Sequence, residues 1–175
     1  MVTIDNLYHG TDKCFDNFDD NYLGKGSGTG YIKAHWFAYG GEKAERAARQ
    51  YAEQRGVNKK HYIYKVQLIV KRDSIVNSWD ELDKKLNASQ IKTLENKSSH
   101  FERDMTFQSF IQSNDDAYNL LISIGIVVIT GWTADNGLCN EYIALLTATK
   151  NDLCTIQMER IPLVPNVLVG KIGVR

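Results

Sequence analysis

The chain lacks an excess of charge, a cysteine framework and any long apolar run, and each absence removes a class of function. Lys+Arg and Asp+Glu both total 21 among 175 residues, so no overall field draws the protein to nucleic acid or anionic lipid, although a local basic patch stays open. The three cysteines, Cys14, Cys139 and Cys154, form no CxxC pair and are odd in number. That pattern fits a reducing compartment and makes a zinc site improbable. The longest apolar run, LLISIGIVVI at 120–129, has about half the residues a membrane helix needs and reads as buried core. The opening MVTIDNLYHG carries no charged n-region followed by an apolar h-region, so the expectation is a cytoplasmic chain without a signal peptide or transmembrane segment. A glycine-rich loop at 24–30 invites a phosphate-loop reading. It satisfies neither GxxxxGK[ST] nor GxGxxG, and a strand rather than a helix follows it, so a plain loop flanking a cleft is the better description.

At 175 residues the chain suits a single compact domain, with roughly 70% of the unfolded surface available for burial and no need of disulfides or metal. Val2 to Tyr8 reads as a short strand, with His9-Gly10-Thr11-Asp12 as the turn that ends it. A short aromatic strand follows at Ala34 to Tyr39, stopped by Gly40-Gly41. Glu42 to Arg55 is built of strong helix formers and sets Ala44, Ala47, Ala48 and Tyr51 on one face, with Gly56 as the C-cap. His61 to Val70 is β-branched and aromatic, hence a strand. Ser78-Trp-Asp-Glu81 is a capping box that opens a helix to about Leu86, a second helix lies within Ala88 to Asn96, and Phe101 to Ile124 is helical in pattern. Strands at Ile126 to Ile129, Glu141 to Leu146, Thr155 to Met158 and Val167 to Val174 complete the chain. Strands with helices grouped between them give an α+β class.

Candidate site residues are individually ambiguous. A histidine beside a strand end, such as His9, is more often structural than catalytic. Gly10 permits either a positive φ or a close backbone approach, and a plain turn would use it as well. Trp36, Phe37, Tyr39 and Tyr51 offer flat faces for a planar heterocycle, but core packing is the usual fate of such residues. Glu141 opens the strand EYIALL after a polar loop; a carboxylate there can bind a hydroxyl or act as a base, or simply be solvated.

Taken in order, LYHGT at 7–11, HWFAYGGEKAERAARQYA at 35–52 and SIGIVVITGWTADNGLCNEYIALLTATKNDLCTI at 123–156 resemble the ADP-ribosyltransferase superfamily. The resemblance is to its His-Tyr-Glu class, which includes diphtheria-toxin-like toxins and poly-ADP-ribose polymerases, and within it to small bacterial and phage-encoded domains. It frames most of the chain and treats about 75–120 as a helical insertion. It implies split β-sheets around an NAD cleft with flanking helices, NAD as co-substrate, no metal, and transfer of ADP-ribose to a protein or nucleic-acid acceptor with loss of nicotinamide. Whether such a chain is a toxin, a phage effector or a housekeeping modifier is left open, as is its own or a host cytoplasm.

Carried over residue by residue, the resemblance implies that the Gly10 backbone grips the nicotinamide carboxamide, that His9 bonds the adenosine-side ribose and that Thr11 supports the turn. Tyr51 fits the stacking tyrosine, with Trp36 and Tyr39 as alternates, since Trp36 stands where a tyrosine is expected. Glu141 fits the catalytic glutamate. Cys139 occupies the place where arginine-specific members carry Glu or Gln, which argues against arginine as acceptor. Water as acceptor would give an NAD glycohydrolase; an RNA 2′-phosphotransferase and a non-catalytic NAD-binding module are the other readings.

Overall fold

A computed structural model describes residues 1–23, 33–55, 60–97, 115–132 and 141–162. The glycine-rich loop 24–30, the Gly56 cap, the 101–114 part of the third helical stretch, the loop holding Cys139 and the strand expected at 167–174 lie outside the described residues. Seven strands, β1 (Val2–Thr11), β2 (His35–Tyr39), β3 (Tyr62–Val70), β4 (Ile75–Val76), β5 (Val128–Trp132), β6 (Glu141–Leu145) and β7 (Cys154–Ile161), form one sheet in the order β4-β5-β6-β2-β1-β3-β7. Four α-helices appear among the described residues: α1 (Glu42–Arg55), α2 (Trp79–Asp83), α3 (Ala88–Lys97) and α4 (Asp115–Ser123). The α+β class holds, and no described helix is long and apolar enough to cross a membrane.

Two separate sheets were expected, and the structure joins them. β1 and β2 pair only at Leu7↔Tyr39 and Tyr8↔Ala38, whereas β1 pairs with β3 through Thr11↔Tyr62 and β2 pairs with β6 over its whole length. The sheet is therefore continuous but carries a seam at its centre. The turn expected at His9-Gly10-Thr11 is also corrected: these residues extend β1 because β3 offers them partners at Tyr64, Ile63 and Tyr62. The insertion is not purely helical either, since Ile75 and Val76 pair in parallel with Val128 and Ile129. β5 starts two residues later than expected, since Val127 donates its N–H to the Ser74 carbonyl (3.0 Å) before the ladder begins.

A bulge in β1 decides which side His9 occupies. The register with β3 shifts by one between Ile4 and Leu7, and Asn6 takes φ 56°, a left-handed conformation that asparagine tolerates better than most residues. Side chains alternate along a strand, so the extra residue turns Leu7 and His9 to the face that Ile4 occupies. That face holds the cluster of Leu7, Phe37, Val66, Leu68, Ile143 and Leu145.

The other face is covered by helices. α1 lays its alanines Ala44, Ala47, Ala48 and Ala52 on Tyr8, Ala38 and Ile63. Small residues let the helix backbone come very close: a Cβ placed on Gly10 would lie 1.9 Å from the Ala48 carbonyl oxygen. Further along, Leu82, Leu86, Ala117 and Leu121 cover Val76, Ile129 and Ala144. Ser78 caps α2 by accepting the Glu81 N–H, as the capping box predicts, but the Glu81 carboxylate accepts the N–H of Asn77, one residue before the cap, in place of the cap's own N–H. The apolar run at 120–129 is core, with Leu121 and Ile126 to Ile129 almost wholly buried.

Candidate active site

Of the residues named from sequence, His9, Gly10 and Thr11 lie at the seam. Beyond Tyr8 the β2-facing edge of β1 has no strand partner among the described residues, and that open edge is formed by His9, Gly10 and Thr11. The His9 side chain bridges the divergence. Its Nδ1 lies 2.9 Å from the Trp36 carbonyl oxygen, and a carbonyl only accepts, so Nδ1 carries the proton and Nε2 presents a lone pair. Among the described residues Nε2 has no hydrogen-bond partner.

An aromatic cage keeps that imidazole neutral. Phe15, Phe18 and Phe37 stand around the ring at centroid distances of 6.0, 5.3 and 6.0 Å, all edge-on. Burial is the main force lowering the His9 pKa to about 4. The Trp36 carbonyl pulls the other way, and the positive potentials of His35 and Arg55 lower it further.

The segment bearing Phe15 and Phe18 is pinned at two points. The Phe15 N–H donates to the Tyr64 hydroxyl at 2.9 Å, and the two rings stack at 4.5 Å. Asp20 accepts three hydrogen bonds, from Thr147 Oγ1 (2.5 Å), the Ala148 N–H (2.7 Å) and His35 Nε2 (3.1 Å). Burial disfavours the Asp20 charge, but these donors outweigh it and hold its carboxyl below the ordinary value. Burial likewise lowers the His35 pKa, with Asp20 opposing. Both Asp20 and His35 were passed over in the sequence because their partners lie as far as 128 residues away.

Glu141 is the first residue of β6 and pairs across β2 with Tyr39, which in turn pairs with Leu7 of β1. Strand alternation puts Glu141 on the same face as Tyr39, Leu7 and His9. Two strand spacings and two residues of rise separate the His9 and Glu141 backbones by roughly 12 Å, a span suited to the two ends of one elongated ligand. Tyr39 is exposed at the turn made by Gly40 (φ 122°) and Gly41 (φ 68°), a backbone path that favours glycine. Thr11 accepts the Lys13 N–H at 3.2 Å and so supports the bend that follows β1.

The aromatics expected to stack are divided by the sheet. Trp36 points to the helical face, where it meets Trp132 edge-on at 4.9 Å and packs against the core. The indole N–H groups of both tryptophans are buried without an acceptor among the described residues. Tyr51 lies on α1 within one turn of Ala48 and Ala52, the two residues that press on Gly10. Its hydroxyl accepts from Arg55 Nη1 at 2.7 Å, and the Arg55 guanidinium stands 5.5 Å from its ring centroid. Arg55 read only as a helix former; its i,i+4 spacing from Tyr51 was the available signal.

Gly10 is explained by close approach and not by a positive φ, because the approaching backbone is that of α1. Among the described residues no strand pairs with its edge toward β2. Among the described residues no group of His, Cys, Asp and Glu is arranged to hold a metal ion. Burial pushes the Cys154 thiol up to about 11, which removes it as a nucleophile. Comparison with protein-family models, with curated proteins and with solved structures finds no match.

Proposed function

We propose that the chain transfers ADP-ribose from NAD to a macromolecular acceptor and releases nicotinamide. The observation that carries this reading is the open β1 edge at His9, Gly10 and Thr11, flanked by Tyr51 on α1 and sharing a sheet face with Glu141. An unpaired strand edge offers a donor and an acceptor side by side, which is what a carboxamide requires. A neutral imidazole with a bare Nε2 suits a ribose hydroxyl as donor.

On this reading Gly10 holds the carboxamide through its main chain, Tyr51 stacks on the nicotinamide and His9 accepts from the adenosine-side ribose. The Glu141 carboxylate accepts from the 2′-hydroxyl of the nicotinamide ribose. The bond that breaks joins C1′ to the nicotinamide nitrogen, and its electron pair leaves with neutral nicotinamide. Glu141 stabilises the positive charge that develops on the ribose, and the acceptor's nucleophile then bonds C1′ and gives up its proton. Electrostatic stabilisation of this kind is commonly the largest single catalytic contribution.

The test is purified protein with labelled NAD in a bacterial lysate, comparing wild type with Glu141→Gln. The expected result is label on a macromolecule, with release of nicotinamide reduced by about 10²–10³-fold in the variant and NAD binding retained. Equal turnover in the variant rejects the role of Glu141. Nicotinamide release with no labelled acceptor identifies an NAD glycohydrolase instead, and removal of a 2′-phosphate from RNA identifies the phosphotransferase.

A further inference from the structure

The open edge of β1 ends beside a permanent cation. Arg55 is the last residue of α1, and α1 reaches its closest approach to β1 at Ala48 and Ala52, where a Cβ on Gly10 would be 1.9 Å from the Ala48 oxygen and 3.2 Å from the Ala52 Cβ. The final turn of the helix, bearing Tyr51 and Arg55, therefore stands next to Gly10. Arg55 is tied to Tyr51 by the 2.7 Å bond from Nη1 to the phenol oxygen. His9, on the same edge, is close enough to feel that charge.

Arg55 suits the electrostatics of the helix end, whereas an anion beside it does not. Carbonyls of the last turn carry partial negative charge, so an anion beside the end of α1 is repelled unless a side-chain cation reverses the potential. Arginine supplies a charge that is not lost at any working pH, together with a planar fork matched to phosphate oxygens. The neutral His9 cannot share that task.

We infer that Arg55 is the anion-holding residue of the site, that it takes the pyrophosphate of the dinucleotide, and that its bond to the Tyr51 hydroxyl couples phosphate binding to the orientation of the stacking ring. The inference rests on the proposed use of NAD. It divides the ligand into a neutral end held by Gly10 and Tyr51 and an anionic middle held by Arg55, which makes three probes sufficient to test it.

The experiment measures binding of nicotinamide, ADP-ribose and NAD to the full chain as wild type, Arg55→Gln and Arg55→Lys, at low and moderate salt. Arg55→Gln is expected to weaken ADP-ribose and NAD at least tenfold and to flatten their salt dependence, while nicotinamide changes less than threefold. Arg55→Lys keeps the charge but loses the planar fork and is expected to fall between wild type and Arg55→Gln, while retained nicotinamide binding by Arg55→Gln shows that its loss of ADP-ribose is not a folding defect. Unchanged ADP-ribose affinity in Arg55→Gln overturns the assignment, as does an equal loss for nicotinamide and ADP-ribose, which would reduce Arg55 to a prop for Tyr51. Failure of the wild type to bind any of the three overturns the proposed function itself, and this inference with it.

Discussion

His9 Nδ1 donates to the main-chain carbonyl of Trp36 at 2.9 Å, so a side chain makes the connection across the seam that the two backbones stop making after Tyr8↔Ala38. The bond fixes the tautomer and leaves Nε2 as an acceptor.

NAD binding should then be insensitive to pH where an ordinary histidine titrates. With its pKa lowered to about 4, His9 stays neutral from pH 8 down to about 5. Dissociation constants measured over that range should be level; a midpoint near 6.5 would contradict the assignment. His9→Phe, which keeps the aromatic cage, should weaken NAD by roughly 0.5–1.5 kcal/mol, the value of one hydrogen bond.

Acid should destabilise the fold in the same window. The folded-state pKa of His9 is depressed below the unfolded value of 6.5, so between those two pH values the unfolded chain binds more protons. Stability is complete above about pH 6.5 and falls as pH drops toward 4, by on the order of 3 kcal/mol from this residue. His35, also lowered, acts in the same direction, and Asp20 adds its loss as pH falls below 3.8. In urea melts, wild type should lose more stability than His9→Phe between pH 7 and 5; equal losses in the two would refute it.

Gly10→Ala should be felt first in stability. A methyl group 1.9 Å from the Ala48 carbonyl oxygen forces α1 away from the sheet, and the obstacle is backbone, which cannot rotate aside. The expected cost is about 3 kcal/mol or more, a fall in Tm of roughly 6 °C or more for a chain of this size. A thermal melt within 2 °C of wild type would show that α1 does not sit where described.

Asp20→Ala and Asp20→Asn should separate sharply. Alanine leaves the buried His35 N–H and the Ala148 N–H without their acceptor, at a cost of roughly 2–4 kcal/mol. Asparagine keeps one oxygen for those donors, and the Thr147 hydroxyl can rotate to accept from the new amide, so about 1 kcal/mol is expected. Equal midpoints in denaturant for the two variants would mean that the charge, and not the acceptor geometry, holds the 12–20 segment.

Local physics was legible in the chain. Helix α1 has the bounds expected from its helix formers, β3 differs by one residue, and Ser78 caps α2 by accepting the Glu81 N–H, because each depends on neighbours within a few positions. The extent of β1 was misread for the same reason. His-Gly-Thr-Asp has turn chemistry locally, but β3 lies alongside and α1 needs a residue without a side chain at Gly10.

By itself, then, the sequence determined the α+β class, the elements with strong periodicity and the short list of polar and aromatic residues worth testing. Tertiary structure alone decided which of them meet. The bulge at Asn6 sets the face of His9, the seam opens the strand edge beside it, Asp20 reaches Thr147 across 127 positions, and Ala48 and Ala52 pack the end of α1 against Gly10. Propensity and capping act through neighbours in the chain, whereas register, seam and charge placement arise only when distant segments compete for the same space.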